Sequence, residues 1–112
     1  MIKTVAFIKR KAGVSREEFA RHYEEVHAPL ALKTLPNFKK YVRNHIVMAL
    51  SGEEPDFDCI SEFWFDSIEA AQEVQEVVAS DAGKPIRDDE LTFMDTSYRV
   101  AFLVDEKVSD LP

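Results

Sequence analysis

Gly13-Val14-Ser15-Arg16-Glu17-Glu18-Phe19-Ala20-Arg21-His22-Tyr23-Glu24-Glu25-Val26-His27-Ala28-Pro29-Leu30 is the stretch whose reading decides the fold. Ser15 is a helix N-cap and Glu18 stands three residues on, so the two make a capping box. Val14 before the cap and Phe19 after it form a hydrophobic staple. Phe19, Tyr23, Val26, His27 and Leu30 then recur at helical spacing and define one apolar face. Pro29 lacks an N–H, so a kink or break is expected after His27.

Upstream, Ile2 to Lys9 is β-rich and ends at a basic turn with Gly13. Downstream, Pro36-Asn37 marks a turn. Phe38 to Ala49 alternates as a second strand, with Tyr41, Arg43, His45 and Val47 on one face. A loop at Ser51-Gly52-Glu53-Glu54-Pro55 leads into an apolar, aromatic third strand, Phe57 to Phe65. Asp66 is expected to cap a second helix, with Glu69 completing a weaker box and Ala71, Val74 and Val78 as its stripe. Asp81-Ala82-Gly83 ends it, Pro85 opens a short extra turn through Phe93, and Ser97 to Val104 is the last strand. The polar tail from Asp105 is expected to be loose or to drape over a partner.

The order β-α-β-β-α-β implies an α+β, ferredoxin-like unit: a four-stranded antiparallel sheet with both helices on one face. The other face, rich in aromatic and β-branched residues, needs a cover. A second copy is the economical one, so a homodimer is expected.

The 112 residues suit one domain over residues 1–112. A net charge of −7 argues against nucleic acid and anionic membranes as partners. Cys59 is the sole cysteine, so no intrachain disulfide forms, and a reducing cytoplasm is the expected compartment. Residues 1–9 read as a strand, with no signal peptide or membrane span.

Several side chains offer chemistry. His27 lies on the apolar stripe, where a neutral imidazole suits general acid–base work; the plainer reading is a core histidine bonded to a carbonyl. Tyr41, Arg43 and His45 share a strand face and together suit a phenolate, enolate or carboxylate. They equally suit a solvated strand end. Glu62 stands out in an aromatic strand, either as an acid facing a histidine or as half of a cross-strand ion pair. His22 and His27 lie five residues apart, about 140° around a helix, which does not suit one metal. No phosphate loop and no Gly-x-Ser-x-Gly elbow is present. No metal and no cofactor is therefore expected.

These residues carry a resemblance. Lys11-x-Gly13-x-Ser15-x-Glu17-x-Phe19, then His27-x-Pro29-Leu30, Pro36-Asn37-Phe38-x-x-Tyr41 and Ser61-Glu62-Phe63-Trp64-Phe65-Asp66-Ser67-x-Glu69-Ala70 resemble the EthD family of dimeric α/β-barrel proteins. The resemblance runs from Ile2 to about Leu103. It implies relatives that accompany ether-degrading P450 systems, fungal polyketide decarboxylases or dehydratases, and methylmuconolactone isomerases. His27 matches the family's His-x-Pro-Leu histidine and Tyr41 its strand-two tyrosine, both in a cleft between helix and sheet. The isomerases' strand-three cysteine is replaced here by Phe63. A cofactor-independent isomerase or lyase acting on an apolar or aromatic substrate is implied. Its catalytic set would be His27, Tyr41 and His45, with Tyr23, Arg43, Glu62, Phe63 and Trp64 binding substrate. The alternatives are a non-catalytic small-molecule-binding accessory protein of a P450 system and a haem- or oxygen-using member of the wider barrel class.

Overall fold

The computed structural model describes residues 2–112. β1 (Ile2–Ile8) leads into α1 (Arg16–His22), which continues through a π-helical turn (Tyr23–His27) into α2 (Ala28–Thr34). β2 (Lys40–His45), β3 (Cys59–Phe65), α3 (Ile68–Ala79), α4 (Lys84–Phe93) and β4 (Val100–Asp105) follow. The strands form one antiparallel sheet in the order β2-β3-β1-β4. This is the ferredoxin-like α+β arrangement expected from the element order. No helix among the described residues is long and apolar enough to cross a membrane.

Ser15 caps α1 as expected, its hydroxyl accepting the Glu18 N–H at 3.1 Å. Pro29 does not break the helix. An α-helix would press its ring against the carbonyl four residues back. The chain instead widens by one residue per turn just before it, and the Ala28 N–H reaches the Tyr23 carbonyl.

Three other boundaries differ from expectation. Ser67, not Asp66, caps α3, because the hydroxyl sits directly before the first helical residue and takes the Ala70 N–H. Asp66 pairs with Lys39 instead. β2 ends at His45 because β3 starts only at Cys59, so Val47, Met48 and Leu50 have no strand to join and stand exposed. The turn expected at Pro85 is a ten-residue helix, with proline at the helix start where a missing N–H costs nothing.

Register sorts the strand residues into two faces. Against the helices lie four rows: Phe65-Ile2-Asp105, Tyr41-Phe63-Thr4-Leu103, Arg43-Ser61-Ala6-Ala101, and His45-Cys59-Ile8. On the far face lie Lys40-Trp64-Lys3-Val104, Val42-Glu62-Val5-Phe102 and Asn44-Ile60-Phe7-Val100. Phe19, Tyr23, Ala28, Cys59, Phe93 and Met94 form one core cluster beneath α1; Phe65, Ala71 and Val74 form a second beneath α3.

Candidate functional site

Between the helices and the sheet lies a cavity of about 630 Å³, open on the β4 side. Its floor explains its existence. Ala6 and Ala101, paired across β1 and β4, are small side chains of that floor and leave room above the sheet. Phe63, Phe65, Leu35, Val74 and Ile86 give apolar walls, and His27, Tyr23 and Tyr41 bring polar groups to the α1 end. The size suits one small organic ligand.

His27 is buried, and its ring packs 5.0 Å from Phe93 and 5.5 Å from Tyr23, centroid to centroid. Its Nδ1 lies 2.8 Å from Asp89 on α4. The other Asp89 oxygen lies 2.9 Å from His22 Nε2. A carboxylate only accepts, so each ring turns an N–H toward it. His27 thereby keeps its lone pair on Nε2, which has no hydrogen-bond partner among the described residues. The two histidines that do not suit a shared metal thus converge on one carboxylate. Among the described residues no three His, Cys, Asp or Glu side chains group as a metal site.

Tyr41 stacks on Phe63 with rings 4.3 Å apart and donates its hydroxyl to Tyr23 at 2.9 Å. The Tyr23 hydroxyl is in turn 2.7 Å from Ser61 Oγ, itself 3.6 Å from Cys59 Sγ. Burial, the leading cause for both phenols, pushes their pKa values well above the ordinary range. Both rings are therefore neutral hydrogen-bonding groups near neutral pH rather than bases. Burial also pushes the Cys59 thiol up to about 11, which keeps it protonated.

The structure divides the expected site. Tyr23, His27, Tyr41 and Phe63 line the cavity together. Arg43 and His45 are on the inner face but off the cavity lining. There Glu24 accepts from Arg43 at 2.5 and 3.1 Å and pairs with His45 Nε2 at 2.8 Å. Glu62 and Trp64 are on the opposite face of the sheet, because alternation sends them away from Phe63. Glu62 pairs there with Lys3 at 3.0 Å, and the Trp64 indole N–H donates to Glu106 at 2.8 Å. The residue missed was Asp89, which lies in a segment without motif and meets His27 only through the fold.

The hydrogen bonds from Arg43, against some opposing burial and with help from His45, hold the Glu24 carboxyl down to about 2. A carboxyl depressed from 4.5 contributes stability that is complete above that value and lost as pH falls toward about 2. Glu24→Gln should therefore flatten the dependence of the urea midpoint on pH between those values. An unchanged slope would show that the cluster contributes nothing to acid stability.

The EthD domain pattern matches residues 11–97. Among solved structures, an EthD-family protein of Bacillus halodurans is 25% identical, with a TM-score of 0.71 over 96% of this chain and 99% of that one. An EthD-like protein of Ralstonia eutropha is 20% identical, with a TM-score of 0.64 over 92% and 86%. A dimeric protein of unknown function and ferredoxin-like fold from Bacteroides fragilis, 10% identical, aligns with a TM-score of 0.63 over 94% and 95%. No curated protein sequence matches the chain.

Proposed function

Because the chain belongs to the EthD family, we propose that it is a cofactor-independent isomerase or lyase that moves a proton on an apolar or aromatic small molecule. One observation carries this reading: His27 presents an unpartnered Nε2 on the wall of a largely apolar cavity while Asp89 holds its Nδ1. That arrangement suits a general base. Tyr41, a neutral phenol on the same cavity wall, suits the oxygen on which charge collects when a proton leaves carbon, once its hydrogen turns from Tyr23 to the ligand. Isomerisation, dehydration, cyclisation and decarboxylation all share that need. Glu62, Trp64, Arg43 and His45 have no direct part in this version.

The working form is a homodimer of the single domain, residues 1–112. The far sheet face supports it, with Val5, Phe7, Val42, Ile60 and Phe102 grouped there. The Bacteroides protein of this fold is described as dimeric. A cytoplasmic setting agrees with a buried, unpaired Cys59.

The test is hydrogen–deuterium exchange in D₂O, followed by NMR, on an aryl methyl ketone. The protein is expected to accelerate exchange at the methyl group. A second reading, that of a small-molecule-binding accessory protein, draws on the open β4 side of the cavity, where Ala101 and Leu103 stand exposed. Binding of the ketone without any acceleration would favour it and sink the base.

A further inference from the structure

The buried side of α4 carries an acid. Ile86 and Glu90 lie one turn apart on the same side of the helix, and Met94 stands where the next turn would begin. Ile86 and Met94 are buried, and all three residues line the cavity. The Glu90 side chain is only 14% exposed, and its carboxylate has one charged partner among the described residues, Arg99. Arg99 directly precedes β4, on the open side of the cavity, and is itself well exposed. Both of its terminal nitrogens stand 3.5 Å from the same oxygen, Oε1, at the outer limit of a hydrogen bond. By contrast, Arg43 grips both oxygens of Glu24 at 2.5 and 3.1 Å. Glu90 Oε2 and the Arg99 Nε–H have no hydrogen-bond partner among the described residues. A carboxylate so placed loses water and gains little from so loose a pair. The two other charged side chains on the lining are engaged elsewhere. Asp95 accepts from Ser97, and the Lys9 ammonium lies 5.9 Å over the Tyr98 ring.

We infer that Glu90 and Arg99 form a subsite for a neutral hydroxyl group, alcoholic or phenolic, on the part of the ligand that lies toward β4. A hydroxyl has one hydrogen and two lone pairs. It donates to Glu90 Oε2 and accepts from Arg99, so both charged groups gain a partner at once. An ammonium group suits Glu90 but meets the Arg99 charge beside it, and a carboxylate suits Arg99 but meets Glu90. At such short range a like charge opposes about as much as the opposite charge attracts. A hydrocarbon end strips water from the carboxylate and returns no hydrogen bond, so the subsite discriminates against it. The inference rests on the reading of the cavity as a small-molecule site and adds the class of ligand, an apolar or aromatic body with a neutral hydroxyl. It requires no proton transfer. Two neighbours on α4 then divide the work: Asp89 holds the His27 imidazole, and Glu90 reads the ligand.

The experiment titrates the protein by NMR with benzyl alcohol and with ethylbenzene, in which a methyl group replaces the hydroxyl. Glu90→Leu is expected to lower the affinity for benzyl alcohol relative to ethylbenzene about tenfold, the low end for a hydrogen bond to a charged group. Glu90→Gln keeps an acceptor and loses the charge, so it should lower the same ratio about threefold. The Arg99 Nε–H signal of the wild type should shift with benzyl alcohol and stay in place with ethylbenzene. A ratio unchanged in both variants would make the pair a structural clasp between α4 and β4 and overturn the inference. Tighter binding of benzylammonium or benzoate than of benzyl alcohol would also overturn it, by revealing a subsite for a charge. Failure of all four compounds to bind would remove the small-molecule reading together with the subsite. Ketone exchange is measured apart from these affinities. An unchanged ratio with exchange intact removes the subsite and keeps the base, whereas the expected ratios without exchange do the reverse.

Discussion

His27→Gln is expected to lower the rate of deuterium exchange into an aryl ketone by about 10²- to 10⁴-fold, the usual worth of a positioned base. Asp89→Asn should reproduce much of that loss with the imidazole still present. An amide has one acceptor oxygen, whereas the two rings each need one. His27 is then free to move its hydrogen to Nε2, which removes the lone pair from the cavity. Imidazole ¹⁵N shifts separate this from simple damage. The wild type should show the hydrogen on His27 Nδ1, and the Asp89→Asn variant a mixture or a swap. A variant with full exchange activity and an unmoved His27 tautomer would show that Asp89 has no part in orienting the base.

The second large effect concerns stability. Phe93→Ala should cost about 3–5 kcal/mol in urea unfolding, out of the roughly 5–15 kcal/mol that a domain possesses. Phe93 closes α4 and is 2% exposed, with Phe19, His22, Tyr23 and His27 all within 4.5–5.7 Å of its ring centre. Its removal opens a hole where α1 and α4 meet. It also frees the two imidazoles, so any residual exchange should fall in kcat more than in binding. A loss under about 1 kcal/mol would mean that the helices close over the gap and that Phe93 is not their hinge of packing.

These two residues show what was legible in the chain and what was not. The Ser15–Glu18 cap and the Val14–Phe19 staple are local, spanning a handful of residues, and both helix and start point followed from them. Alternation along a strand puts Tyr41, Arg43 and His45 on one face, and all three do face the helices. The same rule shows why Phe63 and Trp64 could never line one cleft together. Alternation separates neighbours but does not say which one points inward. Only pairing with Thr4 and Tyr41 does that. Asp89 is 62 residues from His27, and no short pattern connects them. The cavity has a quiet signal in the small residues Ala6 and Ala101, but their alignment exists only once β1 and β4 are in register. Pro29 marks strain, but the kink or break expected there does not occur; a wider turn relieves the strain instead, and nothing in the neighbouring residues signals it.

Trp64 is the sole tryptophan of the chain. It sits on the far side of the sheet, flanked by the Lys3 and Lys40 ammonium groups at 4.8 Å each and bound through its N–H to Glu106. The protein thus carries a single indole fluorophore, selectively excited at the red edge where its three tyrosines do not absorb, and it looks away from the cavity. Its emission reports the far sheet face and the seating of Glu106 against it. A ligand can fill the space beside His27 without dimming it, so a silent fluorescence titration says nothing about occupancy there.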